Sequence, residues 1–183
     1  MKAKPILFNT ETVQAILAGR KTVTRQPVRV DTPDEFEAHN NCRELSEFGA
    51  DVPCFISRKY DVGDILYVRE KWQNICVVPS QYAYKADGEF EPYSPWKSAI
   101  YMPREAARIF LRVTNVKVER LQDITEKEAE AEGENALLWG LIPVLSAKGQ
   151  FQDLWNSLYA KKGYRWEQNP WVWVISFEIY GRS

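Results

Sequence analysis

Seven consecutive residues, Gly19-Arg20-Lys21-Thr22-Val23-Thr24-Arg25, hold three cations and two hydroxyls. A lysine beside arginines is pushed toward its neutral form, because a nearby like charge disfavours charging it. Neutral lysine can take the proton of a threonine hydroxyl, which unaided is a poor nucleophile. On a strand Thr22 and Thr24 share a face while Arg25 points the other way, and Lys21 sits at a turn from which it can swing toward either. The same residues also suit a plain structural role, with cations complementing the dipole at a helix C-terminus ahead of a β-prone pair. Glu132 is the next candidate. It abuts Gly133 at the end of an acidic helix, where a carboxylate opposes the dipole and gains from a cation such as Lys21. Glu126, Glu128 and Glu130 of that helix read as a solvated face. Trp72 closes a strand that carries Arg69, Glu70 and Lys71. A base could stack on its indole while Arg69 or Lys71 holds a phosphate or carbonyl; a rim tryptophan among solvated charges fits the same pattern.

These residues need elements to position them. Pro5–Phe8 reads as a short strand, and Asn9 or Thr10 can cap the helix that follows, with Glu11 in its first turn. Val13, Ile16 and Leu17 make one buried face, and Gly19 suits the left-handed position that ends a helix. Thr22-Val23-Thr24 starts a strand ended by Pro27. Residues 29–61 form a long excursion, with a small hairpin expected near Cys54-Phe55-Ile56. A Gly63-Asp64 turn leads into a strand over 65–72, and Tyr82–Lys85 makes another, ended by Ala86-Asp87-Gly88. Ile109, Leu111 and Val113 alternate, then Val116 and Val118 continue with the phase flipped by one, so a bulge is expected at Thr114-Asn115. Thr125-Glu126-Lys127-Glu128 is a capping box, and Gly133 closes the short helix it opens. Phe151, Leu154, Trp155, Leu158 and Tyr159 have the spacing of an amphipathic helix. Trp171, Trp173, Ile175, Phe177 and Ile179 share one face of a final strand, with Trp171 and Trp173 read as core. About six strands and three helices in mixed order predict an α+β fold with a largely antiparallel, barrel-like sheet.

The 183 residues correspond to one domain, 1–183, with room for a full core. Hydrophobic residues make up 45% and charged residues 27%, an ordinary globular balance that argues against a disordered chain. No run reaches the roughly 18 apolar residues of a membrane helix, and no secretory signal is visible over Met1–Thr10. Three cysteines, Cys42, Cys54 and Cys76, form no C-x-x-C pair, which argues against a disulfide framework and a zinc finger and suits reduced thiols in a cytoplasm. A single histidine, His39, removes most triads and metal sites, so no metal and no cofactor are expected. Seven acids and one base fall between Asp31 and Val52, an acidic insertion (about 31–59) within a basic body of 23 Lys+Arg against 18 Asp+Glu. Such a body is compatible with a nucleotide or nucleic-acid partner.

The stretch Ala15–Arg25, then Val62-Gly63-Asp64-Ile65-Leu66, then Ile124–Gly133, in that order, resembles the ASCH domain of the PUA-like β-barrel superfamily. Tyr67–Trp72, Tyr101-Met102-Pro103-Arg104 running on to Arg108, and Val118–Ile124 resemble the larger ASCH proteins common in phages and prophages. The resemblance implies a PUA-like, mostly antiparallel β-barrel with about three flanking helices that binds RNA or a modified nucleobase. Small bacterial members hydrolyse N4-acetylcytidine with a Thr-Lys-Glu set. Carried over, Lys21 is the proton acceptor, Thr24 the nucleophile and Glu132 the acid partner, with Arg20, Arg25, Arg69, Glu70, Trp72 and Arg104 as substrate-binding candidates. After Thr24 this chain reads Arg25-Gln26-Pro27, where the small enzymes run on to Ile-Arg-Asp. The implied partner is a modified nucleoside or a single-stranded nucleic acid. Three functions remain: a metal-independent amidohydrolase on an N4-acylated cytidine or cytosine, a binding module without turnover, and a ribonuclease using the same lysine and glutamate.

Overall fold

The computed structural model describes residues 3–28, 59–75, 81–88, 95–133 and 146–182. Nearly all of the expected acidic insertion, and the hairpin expected near Cys54, lie outside the described residues. The elements in chain order are β1 (Lys4–Leu7), α1 (Thr10–Leu17), β2 (Val23–Pro27), β3 (Ile65–Arg69), β4 (Trp72–Asn74), β5 (Tyr82–Tyr84), β6 (Ile109–Arg120), α2 (Glu126–Ala131), α3 (Ala147–Tyr159) and β7 (Trp171–Arg182). Five strands form one sheet in the order β1-β3-β6-β7-β2, and β4 and β5 form a separate hairpin sheet. Among the described residues only β1 and β3 run parallel; the other pairs are antiparallel.

The mixed, mostly antiparallel α+β arrangement is the expected one. Its sheet, however, does not close into a barrel among the described residues. Its two edges are β1 and β2. Each carries a proline, Pro5 or Pro27, which has no N–H to donate to a further ladder.

Local signals explain most elements. The Asn9 side chain accepts from the Thr12 N–H at 2.8 Å and caps α1. Thr125 and Glu128 form the reciprocal capping box of α2. The β6–β7 register shifts between Val113 and Asn115, so Val113 and Val116 both reach the core despite their odd spacing. Ile6, Val13, Ile16, Leu66, Leu111, Trp173, Ile175 and Phe177 belong to a core on one face of the sheet. The other face of β7 gives Val172 and Val174 to a second core with Ala129, Phe151, Trp155 and Trp166. The long sheet is therefore buried on both sides, by α1 on one and by α2 and α3 on the other.

Three expectations are corrected. The strand expected over 65–72 is broken after Arg69. The Glu70 N–H meets Met102 Sδ at 3.2 Å instead of a neighbouring strand, so the ladder ends and Trp72 opens the hairpin. In α3, Leu158 is 42% exposed. Tyr159 packs on Trp155 with ring centres 4.5 Å apart and takes the inner position at that end of the helix. At the end of β7, Ile179 similarly lies at the margin of the covered face, 37% exposed.

Candidate functional site

The route from α1 into β2 sets the position of Lys21. Gly19 adopts φ +72°, and the N–H groups of Arg20 and Lys21 both donate to the Ala15 carbonyl, at 2.9 and 3.1 Å. The Thr22 N–H then donates to the Ala131 carbonyl at 2.9 Å, and Lys21 and Glu132 form an antiparallel bridge. The end of α2 is thereby stitched to the start of β2. Gly133 makes this approach possible. At φ +97°, a Cβ there would lie 2.9 Å from Ala15 Cβ and 3.2 Å from Lys21 Cβ. Arg20, which is exposed, clamps the same turn by donating to the Gly133 carbonyl at 2.9 Å.

Lys21 Nζ donates to Glu132 Oε2 at 2.6 Å and to the Glu132 carbonyl at 2.8 Å. The two side chains are 4% and 3% exposed. Arg25 Nη1 holds the other carboxylate oxygen at 3.1 Å. The buried Arg25 guanidinium extends to Glu119 at 2.7 Å and Glu128 at 3.4 Å, and it lies 5.9 Å from the centre of the Phe151 ring. Lys117 completes the chain of charges, 2.7 Å from Glu119 and 2.9 Å from Glu128. Burial pushes the Glu128 carboxyl up, but hydrogen bonds from Lys117 and the Thr125 N–H, with the charges of Lys117 and Arg25, outweigh it and bring it down to about 2. Glu128 is therefore not the solvated face its position suggested. It and Glu119 are partners that sequence reasoning missed; the capping box was the one local signal for Glu128.

Lys21 uses two of its three N–H donors on Glu132, and the third has no acceptor among the described residues. An acyl or phosphoryl oxygen placed there would meet a cation held rigid by a carboxylate. Thr24 is buried, but it pairs with Ile175 and faces the first core, while Arg25 pairs with Val174 and faces the second. Among the described residues no hydrogen bond joins the Thr24 hydroxyl to Lys21 or Glu132. The structure thus unites Lys21, Glu132 and Arg25, and leaves Thr24 on the other face of β2.

The remaining candidates lie in a different region. Arg69 donates to the Met102 carbonyl at 3.1 Å and also to the Ile100 carbonyl, fixing the turn Ala99–Tyr101. Glu70, 1% exposed, accepts from Arg108 through both oxygens, at 3.0 and 3.2 Å. Burial pushes its carboxyl up, and Arg108 opposes that shift. Arg108 also grips both oxygens of Asp87, at 2.8 and 2.9 Å, and its guanidinium carbon lies 3.9 Å from the centre of the Tyr84 ring. Trp72 is not an open stacking platform. It is 6% exposed, packs edge-on against Tyr82 with ring centres 5.6 Å apart, and has Lys97 Nζ 4.8 Å from its ring centre. Arg104 is exposed on a single helical turn, Arg104–Ala106. Neither Arg108 nor Asp87 was a site candidate in the sequence, where Arg108 only closes the motif that begins at Tyr101 and Asp87 lies in the turn that ends a strand.

Among the described residues, no group of three or more His, Cys, Asp or Glu is arranged to hold a metal ion, and no helix is long and apolar enough to cross a membrane. No family model matches the chain, and no curated protein matches it. Among solved structures, protein EF3133 from Enterococcus faecalis V583, of the family DUF984, superposes with a TM-score of 0.50 at 12% identity, over 100% of this chain and 84% of that one. The ASCH domain from Lactobacillus crispatus JV V101 gives a TM-score of 0.41 at 15% identity, over 91% of this chain and 70% of that one. At these identities the likeness is one of fold alone, and the second superposition is too loose to carry an argument. What the superposition on EF3133 shows is a shared fold, mixed α+β around a mostly antiparallel sheet.

Proposed function

We propose that the protein binds a nucleobase or nucleotide beside Lys21 and hydrolyses the amide of an N4-acylated cytidine or cytosine. One observation carries this reading: the 2.6 Å contact between the buried side chains of Lys21 and Glu132, residues 111 positions apart. In the proposed reaction Lys21 first passes a proton to Glu132; the neutral amine then takes the hydroxyl proton of Thr24, which has to turn from the opposite face of β2 to reach it, as the Thr24 oxygen bonds to the acyl carbon. The C–N4 bond then breaks, and the amine leaves with a proton from the Lys21–Glu132 pair. Water hydrolyses the threonyl ester, so amide plus water yields free amine and carboxylic acid. No metal is required by these steps.

A second reading, binding without turnover, is favoured by the placement of Thr24 on the face of β2 opposite Arg25. Incubating N4-acetylcytidine and its longer acyl homologues with the protein, and following the free nucleoside chromatographically, separates the two. Turnover by the wild type that falls about 10²–10⁴-fold in both Thr24→Ala and Lys21→Arg supports the hydrolase. Arginine preserves the charge facing Glu132 but does not give up its proton, so turnover retained in Lys21→Arg removes the general base. Binding by the wild type with no nucleoside released establishes the second reading.

A further inference from the structure

A cavity of about 400 Å³ opens between the β4–β5 hairpin and the turn Arg104–Ala106, and neither Lys21 nor Glu132 lines it. Its volume is in the range of small-molecule sites. Two of its walls are aromatic and already fixed. Tyr82 is held edge-on by Trp72, and Tyr84 is clamped beneath the Arg108 guanidinium while its hydroxyl donates to the Ala106 carbonyl at 2.8 Å. A flat ring entering between them would meet surfaces that need no rearrangement.

The polar groups of the cavity select what kind of ring. Arg108 is the cation in the lining, yet four hydrogen bonds commit it to Glu70 and Asp87. At most one of its five N–H donors, on Nη2, is left over, and two carboxylates already answer its charge. Glu105 lines the cavity, is exposed, and has no ion-pair partner among the described residues. Glu105 is the carboxylate of the lining, while Glu70 and Asp87, which are outside it, already answer the charge of Arg108. This field repels anions and favours neutral or cationic ligands. Glu105 offers two acceptor oxygens and no donor, and Gln81 at the rim offers both a donor and an acceptor.

We propose that this cavity is a second ligand site, for a planar, uncharged or cationic nitrogen heterocycle that presents an exocyclic amine beside a ring N–H: a guanine-type base or nucleoside without phosphate. The two N–H groups face the Glu105 carboxylate, the ring lies against Tyr82 and Tyr84, and a sugar projects through the mouth. The site stands on its own residues and does not depend on the hydrolase reading of Lys21.

Titration calorimetry on the full chain with guanosine, inosine and guanosine monophosphate tests this. Guanosine is expected to bind. Inosine, which lacks the amine, and the monophosphate, which brings an anion to the acidic cavity, are each expected to bind about tenfold or more weakly. Glu105→Gln should weaken guanosine about tenfold, and Glu105→Lys should reverse the order so that the monophosphate binds better than guanosine; both changes fall on an exposed residue. Lys21→Arg should leave guanosine binding unchanged, so a failed hydrolase leaves this result intact. No binding of guanosine, equal binding of the monophosphate, or affinity insensitive to Glu105→Gln overturns the proposal. So does affinity that is lost in Lys21→Arg.

Discussion

Two buried charge clusters organise this molecule, and they are built on different balances. Around Lys21, cations and carboxylates alternate: Glu132 lies between Lys21 and Arg25, while Glu119 and Glu128 each lie between Arg25 and Lys117. Every charge there has an opposite neighbour, and the series runs from the closed interior near Lys21 to the half-exposed Lys117. Around Arg108, one guanidinium answers two carboxylates, Glu70 and Asp87, at the wall of an open cavity. The first cluster ties together the lead-in to β2, β2 itself, β6 and the end of α2. The second braces the chain from Met102 to Arg108 against β3 and the hairpin. A balanced cluster suits holding a cation rigid for an incoming oxygen; an acid-rich one suits excluding anions. Buried ion pairs are poor stabilisers compared with apolar packing, so their value here is geometric: each fixes which residues face the solvent beside it.

The comparison can be broken most severely at Glu132. Glu132→Ala removes the carboxylate shared by two buried cations, and unfolding in urea should show a loss of about 3–5 kcal/mol. A loss below about 1 kcal/mol would mean that water or a rearranged Glu128 already serves Lys21 and Arg25, and the alternating series would not be a unit. Arg108→Met is expected to cost less, about 3 kcal/mol at the low end of the same range, because Glu70 is stranded but Asp87 is 42% exposed and returns to water. Combining Arg108→Met with Glu70→Leu removes both ends of the buried pair and should recover most of that loss.

The smallest and sharpest contrast is in pH. The Glu128 carboxyl is held down to about 2 from its usual value, so the unfolded chain binds more protons there. Its contribution to stability is complete above about 4.5 and is lost as pH falls toward about 2. The Glu70 carboxyl is raised, with burial the largest cause. Its folded form binds more protons, so its contribution is present below about 4.5 and declines as pH rises through the raised value. Urea midpoints measured across this acid range should fall less steeply on acidification in Glu128→Gln than in the wild type. An identical profile for the two proteins would show that Lys117 and Arg25 do not favour the Glu128 carboxylate.

Much of the frame was legible from local pattern. The cap at Asn9, the capping box at Thr125, the left-handed glycines at 19 and 133, and the bulge between Val113 and Asn115 all follow from residues within a few positions of one another. Lys21 and Glu132 were legible as a pair because each sits at an element end where a charge lacks a local partner. Glu70 was legible as a candidate residue but not as a buried one. Alternation placed it in a strand, and nothing nearby in the chain says that its partner lies 38 residues on.

What the sequence by itself determined, then, is the set of elements and their ends, because side-chain period, capping and glycine φ act within one or two turns of chain. The tertiary structure alone decided that the sheet stays open at β1 and β2 among the described residues, that Thr24 faces one core while Arg25 faces the other, and that Trp72 is packed away rather than offered to a base. It also decided that Arg25 meets three carboxylates and Arg108 two. These outcomes depend on how the chain closes over long separations and on which charges lose their water together. Burial sets that, and no short pattern in the chain encodes it.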